Sequence, residues 1–126
     1  MRILRYNKYW ISILAGLVAY FTPLREVFLL VGCLVIADFF TGIGKALKSN
    51  TFSSAKAIHK FWVSFGYFIG IIVAKNLETY LHQDILVKPI VMVIAISEVQ
   101  SLRENIQALT NVDILKPISN LFNKKP

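Results

Sequence analysis

The chain has little with which to build a conventional reactive centre. Among its 126 residues there is one cysteine, Cys33. A single thiol excludes an intrachain disulfide and a multi-cysteine metal site. Cys33 falls inside an apolar run, where a small buried hydrophobe is the expected role. Histidine is nearly as scarce. His59 and His82 flank opposite ends of one helical stretch and cannot meet on a metal within one protomer. Ser, His and Asp all occur, but no nucleophile elbow positions a triad. Gly42-Ile43-Gly44-Lys45 lacks the spacing of a phosphate-binding loop, and Ala46 stands where that loop needs a hydroxyl. No catalytic residue, cofactor or metal is therefore expected, and the chain reads as a non-enzyme. Sustained apolar/polar alternation is also missing, which argues against a β-barrel.

Acidic charge is the next shortage. There are 7 Asp and Glu against 14 Lys and Arg, for a net charge of +7. In a soluble domain such a balance suggests nucleic acid. Here the basic residues flank apolar runs, where an anionic lipid surface attracts them, so a bilayer is the expected partner and nucleic acid is not. Apolar residues make up 56% of the chain, and mean hydropathy is +0.58. A soluble chain of this size buries only roughly 60–70% of its unfolded surface. Lipid as solvent removes the difficulty.

Residues 27–47 form the central apolar stretch. Between Glu26 and Lys45 the one charged residue is Asp38. As a helix the stretch would be roughly 31 Å long, about the thickness of a bilayer's hydrocarbon core. Asp38 would lie near its middle, where a lipid-facing carboxyl costs about 2.5–3.5 kcal/mol. It is expected to face another helix, water or a neutralising proton. A structural role and a directly functional one both remain open.

Around this stretch the reading is all-α: one membrane domain, 1–126, with three long transmembrane helices and a shorter N-terminal one. The N-terminal helix, 9–21, follows a basic segment carrying Arg2, Arg5 and Lys8, with Tyr6, Tyr9 and Trp10 at the interface. It is short for a full span and either crosses a thinned bilayer or lies along its surface. Pro23 separates it from 27–47. A polar loop follows, with Ser53 or Ser54 as N-cap. Lys45, Lys48, Lys56 and Lys60 surround that loop as membrane-surface cations, which places it in the cytoplasm.

The next helix, 59–80, carries Gly66, Gly70 and Ala74 at i, i+4 and i+8, a small-residue face suited to close helix packing. Cys33, Ala37 and Thr41 form a weaker one. Lys75 is expected to snorkel to the surface. Glu78 to Asp84 reads as an acidic connection outside the cytoplasm. The last long helix, 85–105, admits Pro89 near its start and carries Glu98, Ser101 and Asn105 as a polar edge. The tail, 111–126, is basic at its end and is either a short amphipathic segment or disordered. With four spans, both termini are cytoplasmic; a three-span form stays open.

Two motifs carry a resemblance. Asp38-Phe39-Phe40-Thr41-Gly42 fits an Asp-x-x-Thr-Gly pattern at the end of an apolar helix. Glu98-Val99-Gln100-Ser101-Leu102-Arg103-Glu104-Asn105 fits Glu-x-x-Ser-x-x-Glu-Asn. In this order, with an apolar helix between, they resemble a phage holin family that includes the clostridial toxin-secretion holins, over about residues 25 to 118. Ser97 stands where that family often has Asn. The resemblance implies a multi-pass protein of the bacterial inner membrane. It implies a homo-oligomer that permeabilises the membrane to release an endolysin, for host lysis, or a secreted toxin or enzyme. On this reading Asp38, Thr41, Gly42, Glu98, Ser101 and Asn105 supply polar intramembrane contacts, and Gly66, Gly70 and Ala74 pack helices. A non-lytic scaffold or transporter subunit, and a membrane-damaging defence effector, are the alternatives.

Overall fold

The computed structural model describes residues 2–123, with side chains from Lys8 onward. Arg2, Arg5 and Tyr6 as side chains, and the tail residues 124–126, lie outside the described residues. Backbone contacts divide the chain into two compact units, Met1–Leu30 and Val31–Pro126. Among the described residues every regular element is helical.

The first unit holds α1 (Arg2–Phe21), a 3₁₀ turn (Thr22–Leu24) and the start of α2 (Arg25–Lys48). α1 begins earlier than the expected residue 9. The basic residues before the apolar run are good helix formers, and nothing between them and Tyr9 stops a helix. Pro23 produces a single 3₁₀ turn instead of a loop. Proline is tolerated at the start of a helical turn, where its missing N–H is not required. The Arg25 amide donates back to the Thr22 carbonyl, so helix resumes at once. From Lys8 to Tyr20 every residue is exposed in the protomer. Among the described residues of this unit, Leu24 is the buried one.

The second unit contains the rest of α2, α3 (Ser54–Leu81), α4 (Val87–Thr110) and α5 (Lys116–Phe122). α3 starts before the expected residue 59 because Ala55, Lys56 and Ala57 favour helix. Ser53 is its N-cap by backbone position, in an extended conformation, but its hydroxyl makes no capping bond. α3 ends at His82 and α4 at Asn111, both left-handed, with φ of 53° and 59°. Asparagine tolerates that conformation better than most residues. Glu78 therefore belongs to the last turn of α3 and not to a connection. The tail contributes α5, with Pro117 in its first turn.

Buried positions follow a three-and-four spacing, as packed helices require. On α3 they are Ser64, Ile71, Ala74 and Glu78; on α4, Val87, Ile94, Glu98 and Asn105; on α2, Val31 and Asp38. Nearly half of the buried residues are polar, while Ile36, Phe40, Phe61 and Trp62 are exposed. Cys33 is exposed too, against the sequence expectation, because the buried face of α2 runs through Val31 and Asp38 and residue 33 points away from it.

Two helical runs are long and apolar enough to cross a bilayer: Lys8–Lys48, of 41 residues, and Ser54–Leu81, of 28. Their most apolar windows are 11% and 17% buried inside the protomer, unlike the core helices of a soluble protein. α4, expected as a third independent span, does not meet the same measure. Glu98, Ser101, Arg103, Glu104, Asn105 and Gln107 lower its hydropathy, and three of them are turned toward the other helices.

Candidate functional site

The two sequence motifs meet in space. Asp38 on α2 is completely buried. One carboxylate oxygen, Oδ1, accepts a hydrogen bond of 2.7 Å from Asn105 Nδ2 on α4. The other, Oδ2, is ion-paired with the Lys60 ammonium from α3. Asn105 Nδ2 also lies 3.3 Å from the Asp38 carbonyl and 3.3 Å from Thr41 Oγ1. The Thr41 hydroxyl donates to the Ala37 carbonyl at 2.7 Å, so it can accept from Asn105. Lys60 Nζ reaches Ser101 Oγ at 3.5 Å. Three helices are thus joined through one carboxylate.

Helical spacing explains the arrangement. Thr41 lies one turn after Asp38, and Ser101 lies one turn before Asn105, so each pair shares a face. α4 comes close at Gly42, where a Cβ would meet Asn105 Nδ2 at 3.4 Å, the near edge of ordinary contact. A Cβ at Gly44 would lie 3.5 Å from Leu109. Buried charge is tolerated when it is paired and hydrogen-bonded, as it is here.

Lys60 was grouped with Lys45, Lys48 and Lys56 as a membrane-surface cation. Its ammonium instead turns inward to Asp38, and its side chain is 33% exposed. Lys48 donates to the Ala108 and Leu109 carbonyls at 2.9 and 3.3 Å. A cation there satisfies carbonyls left open at the end of α4 and complements its dipole. Lys45 and Lys56 remain exposed.

Glu98 is buried one turn before Ser101, and its Oε2 has no hydrogen-bond partner among the described residues. The Tyr67 hydroxyl lies beside Glu98 and Ser97. The Gly66, Gly70 and Ala74 positions separate. Ala74 is buried, whereas a Cβ on Gly66 or Gly70 would meet nothing within 4 Å. A strict i+4 repeat drifts off the three-and-four seam of α3, and the two glycines line a groove whose other wall is Pro89, Ile90, Val93 and Ile94 of α4.

Sequence reasoning missed three sets of contacts. The Glu78 carboxylate accepts the Leu86 and Val87 amides, both at 2.7 Å, and so caps the start of α4. Lys75, expected to snorkel, lies 3.4 Å from both Glu78 and Asp84. Arg103 forms a two-point pair with Asp113: Nε donates to Oδ1 at 2.8 Å, and Nη2 pairs with Oδ2. This pairing, with the Leu115 amide also donating to Asp113, holds the Asp113 carboxyl below the usual aspartate range. A carboxylate nine residues before a helix that opens at Val87-Lys88-Pro89 was the available signal for the Glu78 cap. No local pattern announces the Arg103 pair.

An exposed apolar exterior around a buried polar cluster defines a helical integral membrane protein. The chain belongs to the bacteriophage holin family, whose model matches residues 15–124. No curated protein and no solved structure matches it.

Proposed function

We propose that this protein oligomerises in the bacterial inner membrane and permeabilises it, releasing an endolysin for host lysis or a secreted toxin or enzyme. The observation that supports this most is the polar cluster of Asp38, Lys60, Asn105, Thr41 and Ser101, enclosed between helices that are apolar outside. Polar groups at membrane depth mark functional pathways, since lipid alone would select against them. In the protomer they satisfy one another. When the helices part, the same groups face water or a neighbouring protomer, and the apolar exterior stays in lipid.

On this reading α4 crosses the membrane in company with α2 and α3, which cover its polar edge. Membrane association is thereby compatible with its modest hydropathy. The Lys45 to Lys60 loop lies in the cytoplasm by the positive-inside rule. The open glycine face of α3, at Gly66 and Gly70, packs against a second copy, because a face without side chains permits the closest helix approach. Asp38, Thr41, Gly42, Glu98, Ser101 and Asn105 set how readily the bundle opens. The Glu98 Oε2 is a polar atom that gains a partner on opening.

The test is expression in bacteria with and without a co-expressed cell-wall hydrolase, following membrane potential and lysis together. A sudden loss of potential, with lysis only when the hydrolase is present, is the expected result. Intact potential throughout would make the protein a non-lytic scaffold or transporter subunit and end this reading.

A further inference from the structure

A cavity of about 260 Å³ opens between α2 and the start of α3, beneath the loop that joins them. A water's share of liquid volume is about 30 Å³, so the space suits a small polyatomic group. Its polar lining is Lys45, Lys56, Lys60, Thr51, Ser53 and Asn105, the last already bonded to Asp38. Its apolar lining includes Phe39, Ile43 and Phe52. The sequence carries no Asp or Glu between Asp38 and Glu78, and none lines the cavity.

The lysines are not equivalent. Lys60 is neutralised by Asp38. Lys45 and Lys56 form no ion pair and no side-chain hydrogen bond among the described residues. The Ser53 hydroxyl caps nothing. Two unpaired ammonium groups and a free hydroxyl therefore share a recess whose other wall is aromatic and aliphatic.

We propose that this recess binds a phosphate-bearing anion, with Lys45 and Lys56 as the charge and the Ser53 hydroxyl as a further donor, the Thr51 hydroxyl being bonded to Ser49 at 2.8 Å. Lysine binds phosphate as a point charge, and basic recesses between membrane helices on the cytoplasmic side take acidic headgroups. The apolar wall would hold the start of the acyl chains of an acidic phospholipid, which a free phosphate lacks. The inference uses the membrane location of the chain but not its permeabilising activity.

The experiment is native mass spectrometry of the full-length protein in detergent, titrated separately with phosphatidylglycerol, phosphatidylcholine and inorganic phosphate. Saturable phosphatidylglycerol adducts are expected, with the Lys45→Gln/Lys56→Gln variant binding about 30-fold more weakly, the effect of two lysines beside an acidic lipid. Lys45→Arg/Lys56→Arg should retain binding. Lys8→Gln/Lys88→Gln removes equal charge elsewhere and should change nothing. Inorganic phosphate that binds alone and displaces the lipid supports the site and assigns it to the free anion; lipid that binds without phosphate competition supports it and assigns the headgroup. Equal adducts of the two lipids with no phosphate binding, or equal losses in the two Gln double variants, overturn the proposal. A protein that leaks nothing yet binds in this way sinks the permeabilisation reading alone.

Discussion

The two units of this chain solve the same solvent problem differently. In Met1–Leu30 the polar side chains serve their own helix. Ser12 donates to the Lys8 carbonyl at 2.9 Å and Thr22 to the Val18 carbonyl at 2.6 Å, both four residues back. In Val31–Pro126 some hydroxyls do the same, Thr41 to Ala37 and Ser64 to Lys60 among them, but other polar side chains also reach across. Asn105 meets Asp38 from 67 residues away, and Lys60 does so from 22. Self-satisfied hydroxyls let a helix sit in lipid without choosing a neighbour. Cross-helix bonds specify which helices meet and in what register. The first unit is therefore suited to anchoring, and the second carries the specificity.

Breaking the second unit's cross-links should have the largest effect. Asp38→Leu leaves Lys60 and Asn105 without their partner and should destabilise the protein by about 1–3 kcal/mol, the penalty for unsatisfied buried groups. Lys60 can still reach water, which keeps the loss away from the upper limit for buried ion pairs. Insertion should be unchanged while the timing or extent of dye leakage shifts. Unaltered melting in detergent together with unaltered leakage would show that the cluster decides nothing.

Gly70→Leu should leave the protomer's melting temperature nearly unchanged, because a Cβ there meets nothing within 4 Å and the side chain enters an open groove beside α4. It should shorten the ladder of crosslinked oligomers in membranes, because a bulky side chain holds a partner helix away. A full-length ladder would remove this face from assembly.

Acid should act next, on the second unit's C-terminal end. The Asp113 carboxyl is held below its ordinary value mainly by the Arg103 hydrogen bond. Its contribution is thus present above the ordinary aspartate range and lost as pH falls through the depressed value. Hydrogen exchange at the Leu115 and Lys116 amides should rise in that window, and in Arg103→Gln it should already be raised at neutral pH. Exchange that ignores both changes would detach α5 from this pair.

The smallest effect belongs to the first unit. Ser12→Ala removes a bond to the helix's own backbone and should stay within about 0.5 kcal/mol of wild type. A larger loss would mean that α1 has a specific partner after all, and the contrast between the units would narrow.

Much of this was legible in the residues. Apolar runs bounded by lysines located the helices to within a few positions, since capping and propensity act locally. The exceptions have identifiable causes. α1 and α3 began early because basic and alanine-rich turns are permissive. Pro23 made a turn because a proline at a helix start forgoes an amide that no partner requires. Asp38, Thr41 and Asn105 were singled out because polar groups in apolar runs are expensive in lipid. Lys60 was assigned to the surface because its sequence neighbours are basic, and sequence distance hid its carboxylate.

What the chain alone determined is helical structure, an apolar exterior and a handful of polar positions out of place in lipid. These depend on interactions within a few turns and on composition. Which polar group meets which was decided only by packing. The Asp38–Lys60–Asn105 junction, the Glu78 cap on α4 and the Arg103–Asp113 pair each join residues with no shared local pattern. Their partners are chosen by which helix faces coincide once α2, α3 and α4 lie side by side, a property of the assembled unit and not of any one segment.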